Sequence, residues 1–392
     1  MSQDPVVVVA ARRTPLGAFQ GVLSPVTATD LSAATIRAAF AGSDLDPAAV
    51  DEVLIGCVLP AGLGQAPARQ AALAAGIPYG VPCTTLNKVC GSGMKTTMIG
   101  HDLISAGSAK IVLTGGMESM SNAPYLMPKA RAGYRMGHQT VLDHMFFDGL
   151  QNAYDARMMG HFAELTAEKY GFSRRDQDDF AIASVTRARA AAEQGRFDNE
   201  IAPVTVKTRK GETEVSKDEG PDKANIEKIP TLKPAFKDDG TVTAASSSSI
   251  SDGAATLILM RESDAKERGV SILASIAGHC GFAHEPEWFT TAPVSAINAL
   301  HAKLGWNPDS VDLYEINEAF ACVTMAAMND VGIAHEKVNV NGGACALGHP
   351  IGASGARIIV TLVHALLHQG GGKGIASLCI GGGEAVAIGI EV

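Results

Sequence analysis

The sequence VDEVLIG at residues 50–56 has a counterpart in VDLYEIN at residues 311–317, 261 positions later. A second pair, IVLTGGMES from residue 111 and SLCIGGGEA from residue 377, follows in the same order at a similar offset. Between the two motifs of each copy lies a glycine-rich stretch, CGSG at residues 90–93 and GHPIGASG at residues 348–355. Self-similarity at a near-constant offset indicates a duplicated unit. A duplicated α/β domain is the simplest explanation of the preserved order, and chance likeness between two buried strand patterns is the alternative.

Short apolar runs alternate with helical patterns in both copies. Residues 6–10 suit a buried strand, and residues 29–40 have helical spacing with Thr29 or Asp30 as the expected N-cap. Such alternation is typical of layered α/β domains. The segment between the copies is richer in Met and charge and contains one clear helical pattern, at residues 174–194. The expected units are residues 1–120 with 246–270, an inserted loop domain at 121–245, and residues 271–392.

Composition excludes several classes of protein. The net charge of -9 argues against a general nucleic-acid binder. Seven cysteines, an odd number without paired short spacing, argue against a disulfide framework and for a reducing compartment. The apolar run near the N-terminus is too short for a signal peptide, and no segment approaches the length of a membrane span. We therefore expect a cytoplasmic protein with no nucleic-acid and no membrane partner.

Cys90 lies in LNKVCGSGM, between a predicted strand and a helix predicted at residues 91–106. A cysteine at a helix N-terminus is exposed to the positive end of the helix dipole, which predicts a lowered pKa and a thiolate. The neighbouring glycines allow a large substrate to approach the sulfur. A buried structural cysteine is the alternative, but the strand–Cys-Gly-Ser-Gly–helix context favours a nucleophile.

Other candidate residues stand on glycine-rich segments or at strand ends. His349, in NGGACALGHPIGASGA, can activate a thiol or orient a thioester oxygen. Cys379 precedes Ile-Gly-Gly-Gly and can exchange a proton with a substrate, if its pKa is lowered, whereas Asn317 can hold a water or a carbonyl oxygen. Isolated strand-end Asn residues are usually turn or cap residues. His364 and His368 are four residues apart on a predicted helix, but without a third ligand we expect a solvated face and no metal site.

These motifs together resemble those of the thiolase family, especially its acetyl-CoA acetyltransferase branch. The likeness covers almost the whole chain, and NKVCGSG, GHPIGASGA and CIGGG are specific in combination. It also includes ARRTPLGAFQG, GQAPARQAALAAGIP, GGMESMSNAPY, DGTVTAASSSSISDGAA and EINEAFA. The resemblance implies a layered αβαβα fold built from two duplicated α/β domains with mixed sheets, and a loop domain that covers the active site.

The resemblance also implies a role for each candidate residue. Cys90 would carry the acyl group as a thioester, and His349 would activate it. Cys379 would remove the α-proton of an incoming acetyl-CoA or protonate the leaving carbanion. Asn317 and His349 would stabilise the thioester oxygen of the second substrate, and the N–H groups of Cys90 and Gly381 would hold the oxyanion. The implied ligands are coenzyme A and its acyl thioesters, with no tightly bound cofactor, in a homo-oligomeric dimer or tetramer.

The chain departs from the family pattern mainly around coenzyme A. Met158-Met159-Gly replaces the usual His-Met-Gly, Phe289 replaces the first residue of Met-Gly-x-Gly-Pro, and Ser248 keeps the serine that meets the pantetheine arm. No counterpart of the Arg that commonly helps to hold the nucleotide is evident near residues 220–224, and Lys223 or another loop lysine is the expected substitute. The full set of expected substrate-binding residues is Ser248, Ala319, Phe320, Phe289, Met158, Met159, Leu150 and Lys223.

The expected reaction is the reversible, ping-pong condensation of two acetyl-CoA molecules to acetoacetyl-CoA and CoA. Two alternatives from the same family are a degradative 3-ketoacyl-CoA thiolase with longer substrates and a catalytically silent lipid-binding subunit. A Cys/His hydrolase is a further alternative, and it would not require Cys379. Retention of the four candidate catalytic side chains argues against the silent subunit; they are Cys90, Asn317, His349 and Cys379.

Overall fold

Strands and helices alternate along residues 4–209 and 211–392, the part of the chain that the computed structural model describes. The strands are β1 (Val6–Arg13), β2 (Gly17–Ala18), β3 (Glu52–Gly56), β4 (Cys83–Leu86), β5 (Val112–Ser119), β6 (Tyr125–Leu126), β7 (Leu142–Asp143), β8 (Val204–Thr208), β9 (Gly211–Val215), β10 (Ser251–Arg261), β11 (Ala274–Ala283), β12 (Leu313–Ile316), β13 (Lys373–Ile380) and β14 (Glu384–Glu391). The α-helices are α1 (Ala28–Ala41), α2 (Pro67–Ala74), α3 (Ser92–Ser105), α4 (Met159–Tyr170), α5 (Arg174–Glu193), α6 (Glu219–Lys223), α7 (Glu262–Arg268), α8 (Ala292–Leu304), α9 (Ala321–Val331), α10 (Ala344–Leu347) and α11 (Ser354–His368). Within these residues, no helix combines the length and apolar character that a membrane crossing requires.

The main sheet contains both halves of the chain. Its order is β12-β13-β14-β11-β1-β10-β5-β3-β4, with β2 paired beside β10. The first half supplies β1, β10, β5, β3 and β4, and the second supplies β11 to β14. The halves meet through a short antiparallel pairing of Val7 with Ser275 and Val8 with Ala274. Pairs β3–β4, β3–β5 and β12–β13 are parallel and the others antiparallel, so the sheet is mixed as expected.

Helices cover both faces of the strands in layers. Val6 and Val8 pack into a central core with α3 and α11, whereas Val7 and Val9 pack against α1 and α2 on the outside. In the second half, α8 and α9 form the other outer layer. Because both faces are covered, β1 is a continuous apolar run instead of an alternating one. The central helices α3 and α11 therefore lie between the two halves, and the expected layered architecture is confirmed.

The strand bounds establish the register of the internal repeat. β3 begins at Glu52 and β12 at Leu313, 261 residues later. β5 begins at Val112 and β13 at Lys373, again 261 residues later. The match of VDEVLIG with VDLYEIN is therefore confirmed. The match of IVLTGGMES with SLCIGGGEA is wrong by five residues, because it aligned two glycine clusters that lie at different points relative to their strands.

Several local predictions need correction. Helix α1 begins at Ala28, and its N-cap is Thr27, whose side chain accepts from the N–H of Asp30. His364 does not lie on a solvated face, because it is buried and its Nε2 lies 3.0 Å from the carbonyl oxygen of Ala11. The inserted segment holds more structure than its one predicted helix: α5 begins at Arg174 as expected, but α4, α6 and the hairpins β6–β7 and β8–β9 accompany it.

Candidate active site

A strained turn between β4 and α3 presents Cys90. Val89, immediately before it, has a φ of +45°, in the left-handed region that β-branched residues strongly disfavour. Two hydrogen bonds hold this conformation: the Val89 N–H donates to Asn87 Oδ1 at 2.9 Å, and Ser92 Oγ donates to the Val89 carbonyl at 2.6 Å. Strain of this kind costs about 1–3 kcal/mol and persists only where the surroundings impose it. The turn fixes where the sulfur points.

The turn lies directly against the end of β13 from the second half. A Cβ on Gly91 would come within 2.4 Å of Ile380 Cδ1, so glycine is needed for this close approach. The N–H of Gly381, the next residue after Ile380, reaches the Cys90 sulfur. The two halves of the chain therefore meet at the nucleophile.

Burial controls the acidity of Cys90. It raises the pKa of this thiol to about 11, although hydrogen bonds from the N–H groups of Gly381 and of Cys90 itself oppose the rise. The nearby carboxyl of Glu118 raises the pKa further. The prediction of a thiolate is therefore wrong for the substrate-free protein, because the loss of solvation outweighs the favourable helix N-terminus. At neutral pH the group is a thiol that needs a base.

His349 stands on a tightly packed loop before α11. Gly348 has a φ of +109°, and a Cβ there would meet Ser251 Oγ at 2.1 Å, so only glycine fits. The His349 N–H donates to the carbonyl of Ser249 at 3.0 Å. The loop thus fixes the imidazole against the serine-rich segment, and His349 lines the same cavity as Cys90.

The hydrogen bonds around His349 define its tautomer. Ser354 Oγ donates to the Pro350 carbonyl at 2.9 Å, so towards His349 Nδ1, 2.5 Å away, it acts as acceptor. We therefore assign the proton to Nδ1 and the lone pair to Nε2, which lies 3.4 Å from Asn317 Nδ2. Burial, together with the charge of Arg357, lowers the imidazole pKa to about 3. His349 is therefore neutral and can accept a proton at Nε2.

Asn317 is held rigidly just after β12. Its N–H donates to the Ser377 carbonyl at 3.0 Å, which joins it to the neighbouring strand β13. Its buried Oδ1 has no hydrogen-bond partner among the described residues. A buried amide oxygen without a partner is costly, so this atom is suited to accept a hydrogen bond from a water or a ligand.

Cys379 is fully buried near the end of β13. Burial raises the pKa of its thiol well above the ordinary value, and the charges of Cys90 and Cys322 raise it further. The prediction that Cys379 has the lowered pKa required of a base is therefore wrong for the substrate-free protein. In the substrate-free protein Cys379 is a neutral thiol at neutral pH.

One cavity of about 220 Å³ brings most of the candidates together. Cys90, His349 and Gly381 line it, whereas Cys379 and Asn317 are buried outside the lining set. Of the expected substrate-binding residues, the cavity is lined by Ser248, Ala319, Phe320, Phe289, Met158, Met159 and Leu150. Four further lining residues were missed by sequence reasoning. Met120 and Ile351 lie within the motifs GGMESMSNAPY and GHPIGASGA, whereas Phe146 and Phe236 lie in no quoted motif.

Lys223 is the exception. It ends the short helix α6, and its Nζ pairs with Glu219 Oε1 at 2.5 Å. Its side chain is largely exposed, and it does not line the cavity. The structure therefore does not bring Lys223 together with the other candidates.

Glu118 is a buried acid that sequence reasoning missed. Its carboxyl oxygens accept from the N–H groups of Val58 at 3.0 Å, Leu59 at 3.2 Å and Gly352 at 2.9 Å. Burial raises its pKa to about 7, against the effect of these hydrogen bonds. It therefore ties the loop that follows His349 to the first half. A carboxylate inside the apolar stretch IVLTGGMES was the available signal.

Comparisons with known proteins agree with this arrangement. The model of the thiolase N-terminal domain matches residues 6–263, and that of the thiolase C-terminal domain matches residues 270–392. The acetyl-CoA acetyltransferase of Pseudomonas aeruginosa is 50% identical over 98% of this chain and 98% of its own. Acetyl-CoA acetyltransferase 2 of Arabidopsis thaliana is 50% identical over 99% of this chain and 97% of its own.

Two crystal structures are similar along nearly the whole chain. The acetyl-CoA acetyltransferase of Bacillus anthracis has a TM-score of 0.96 at 42% identity and covers 99% of this chain and 98% of its own. The Acat5 thiolase of Ascaris suum, solved in complex with coenzyme A, has a TM-score of 0.94 at 40% identity and covers 99% of both chains. With both family models matched and the glycine-dependent turns around Cys90 and His349 in place, the chain belongs to the thiolase family of acyltransferases.

Proposed function

We propose that this chain is an acetyl-CoA C-acetyltransferase, which reversibly converts two acetyl-CoA molecules to acetoacetyl-CoA and CoA. The observation that carries the proposal is the small cavity that Cys90, Gly381 and the neutral His349 line together, with the Gly381 N–H on the Cys90 sulfur. A thiol beside a fixed neutral imidazole suits acyl transfer through a covalent intermediate. The second cysteine supplies a group that simple hydrolysis does not need.

Acylation uses the groups as they stand. The Cys90 thiol gives its proton to His349 Nε2 while the sulfur attacks the thioester carbonyl of acetyl-CoA. The N–H groups of Cys90 and Gly381 donate to the oxygen that becomes negative, which stabilises the tetrahedral intermediate. His349 then returns the proton to the leaving CoA sulfur. The product is acetyl-Cys90, with free CoA and neutral His349.

Condensation uses the second cysteine. The Cys379 thiol first loses its proton to solvent, and it takes a proton back from solvent at the end of the cycle. As thiolate, Cys379 removes the α-proton of a second acetyl-CoA, while Asn317 and His349 stabilise the enolate oxygen. The carbanion attacks acetyl-Cys90, the new carbon–carbon bond forms, and the Cys90 sulfur leaves with the electron pair. The proton on Cys379 is returned to the Cys90 sulfur. CoA leaves before the second substrate binds, so the kinetics are ping-pong.

The cavity favours a short acyl group. Four phenylalanines line it: Phe146, Phe236, Phe289 and Phe320. Phe289 is almost fully buried and packs edge-on against Phe162 at 6.2 Å between ring centroids, so its ring cannot swing aside freely. Rigid aromatic walls limit the space for a longer ketoacyl chain. We therefore favour acetyl transfer over the degradative reaction with longer substrates.

Mass spectrometry of the intact protein after exposure to acetyl-CoA tests the proposal. We expect the mass of one acetyl group on the wild type and none on Cys90→Ala. Cys280→Ala, which removes a partly buried cysteine outside the cavity, is the matched control and should acylate normally. Acetylation that survives Cys90→Ala would refute the assignment of the nucleophile. Acetoacetyl-CoA and longer ketoacyl-CoAs, tested in parallel, would report chain-length preference.

Coenzyme A contacts are part of the same proposal. Ser248 lines the cavity, and its N–H donates to the Ala319 carbonyl at 3.0 Å, which fixes the serine-rich segment along the pantetheine path. Lys223 is largely exposed and does not line the cavity, and in this proposal its ammonium group would contact the nucleotide phosphates. We expect Lys223→Ala to raise the KM for acetyl-CoA without changing that for acetyl-pantetheine, which lacks the nucleotide. Equal KM changes for both substrates would remove Lys223 from this role.

Self-association and a cytoplasmic location complete the proposal. The edge strand β4 leaves one side without a strand partner in the described chain, and such edges invite pairing with a second chain. The segment around β6 and β7 exposes the large apolar side chains of Tyr125, Met127, Met136 and Val141. Exposed apolar groups of this size are typical of contact surfaces. Light scattering should give the mass of a dimer or tetramer.

A further inference from the structure

Two histidines and one aspartate from both halves of the chain converge at the far end of α3. His101 and Asp102 lie in its last turns, and His279 lies on β11. Asp102 Oδ1 is 3.1 Å from His101 Nδ1 and 2.9 Å from His279 Nε2. One nitrogen of each ring and one carboxylate oxygen all lie within 4.8 Å of one another. The sequence did not predict this cluster, since it joins positions 177 residues apart.

We propose that His101, Asp102 and His279 form a binding site for a divalent transition-metal ion of the Zn²⁺ type. Imidazole nitrogens and carboxylate oxygens are the ligands of such ions, at about 2.0–2.2 Å. Ligand atoms in a tetrahedral site with those bonds are about 3.3 Å apart. The two measured separations to Asp102 are already close to this value. Small rotations of the rings would complete the geometry, with the ion in place of the two N–H protons.

The surroundings allow metal access and leave a coordination position open. Asp102 is 58% exposed, so solvent can supply a fourth ligand, while His101 and His279 are 20% and 12% exposed and are held in place by packing. The rings meet edge-on with centroids 5.0 Å apart. Lys303 Nζ donates to the His279 carbonyl at 2.8 Å and is the nearby charge that opposes a cation. We therefore expect an exchangeable ion rather than one retained through purification.

The position of the site predicts a structural role. Residue 101 is about 14 Å along the helix axis from the start of α3, given a rise of 1.5 Å per residue. The ion would therefore be remote from Cys90 and outside the chemistry. It would join α3, which begins beside Cys90, to β11, which pairs with β14 next to the strand of Cys379. A bound ion would clip the two halves together and stabilise their docked arrangement.

Cobalt titration of metal-free wild-type protein tests the proposal. We expect one equivalent of Co²⁺ to give visible d–d absorption without the near-ultraviolet sulfur-to-cobalt band that cysteine ligands produce. His279→Gln and Asp102→Asn should weaken this binding by more than about 100-fold, the upper end of what loss of an outer partner costs. His368→Gln removes an exposed histidine at the end of α11 and serves as the matched control with wild-type binding.

A thermal measurement gives an independent arm. Excess Zn²⁺ should raise the Tm of the wild type and of His368→Gln, and should leave that of Asp102→Asn unchanged. Asp102 is exposed, so this variant should fold even where His279→Gln does not. Absence of a one-equivalent Co²⁺ spectrum, a sulfur-to-cobalt band, or unchanged binding in Asp102→Asn would overturn the proposal. Acyl transfer should be the same in all these variants, so the outcome is independent of the proposed function.

Discussion

Replacement of Ser354 by alanine should slow acylation of Cys90 while the fold is retained. Ser354 Oγ lies 2.5 Å from His349 Nδ1 and is the acceptor that holds the proton there, leaving Nε2 free as base. In Ser354→Ala the buried Nδ1–H loses its partner in the ground state and in the transition state. The bond is stronger in the transition state, where the imidazole becomes positive, at about 1.5–3 kcal/mol against about 0.5–1.5 kcal/mol for the neutral ring. Only the difference of about 1–1.5 kcal/mol enters the rate, so at about 1.36 kcal/mol per tenfold acylation should slow by roughly 5- to 13-fold.

Rapid-quench measurement of acetyl-enzyme formation in a single turnover gives the acylation rate directly. Thr97→Val is a suitable control, since it removes a buried hydroxyl that bonds Thr114 in the same central helix layer. It should reduce the free energy of unfolding but leave acylation unchanged. Circular dichroism checks that both variants fold. A folded Ser354→Ala protein that acylates at the wild-type rate would refute the assignment of the tautomer to this hydrogen bond.

Four further predictions concern other parts of the site. Cys379→Ala should still form acetyl-Cys90 but lose condensation by at least about 100-fold, the scale of general acid–base catalysis; equal loss in both half-reactions, measured by intact mass and acetoacetyl-CoA formation, would contradict the division of roles. Phe289→Ala should raise kcat/KM for longer ketoacyl-CoAs relative to acetoacetyl-CoA, and an unchanged ratio would count against the aromatic wall. Because His349 has a pKa of about 3 and Cys90 one of about 11, kcat/KM for acylation should be constant from about pH 5 to 8. A fall in kcat/KM below about pH 6.5 would show that the pKa of His349 is not lowered and would contradict this prediction. Glu118 has a pKa of about 7 in the folded protein, against an ordinary value of 4.5, so the folded state keeps its proton to higher pH than the unfolded state. The free energy of unfolding should therefore fall by about 3 kcal/mol as pH rises from 4.5 to 7. Urea titrations should show that this pH-dependent loss of stability is absent in Glu118→Gln.

The sequence identified the chemical residues because each stands in a local pattern with a local cause. Cys90 follows a strand and precedes a helix, and His349 follows a glycine whose φ excludes other residues. Such signals depend on neighbours in the chain, so a single sequence contains them. The duplicated α/β fold was predictable for the same reason, since strand-like repeats at a constant offset need no knowledge of long-range contacts.

The acidity of these groups was not predictable, because it depends on depth. The helix N-terminus predicted a lowered pKa for Cys90, which is wrong because packing against Ile380 and Gly381 removes the solvation that a thiolate needs. The lowered pKa predicted for Cys379 is wrong for the same reason, because burial raises the pKa of this thiol. Glu118 and His279 were missed because their partners are distant in the chain, at Gly352 and Asp102. Burial and long-range pairing are properties of the assembled layers.

The doubled architecture explains why the site requires both halves. Cys90 precedes the central helix α3 and receives the N–H of Gly381, just beyond β13 of the second half. Gly352 precedes the central helix α11 and gives its N–H to Glu118, near the end of β5 of the first half. Glu118 and Cys379 are each the seventh residue of their strands. The first half thus holds the turn of the second through the Glu118 carboxylate, whereas the second half holds the turn of Cys90 through the Gly381 N–H, two residues beyond the proposed proton carrier Cys379. Neither half alone can position a nucleophile, an oxyanion donor and a base, so undocking of the halves must abolish acylation and condensation together.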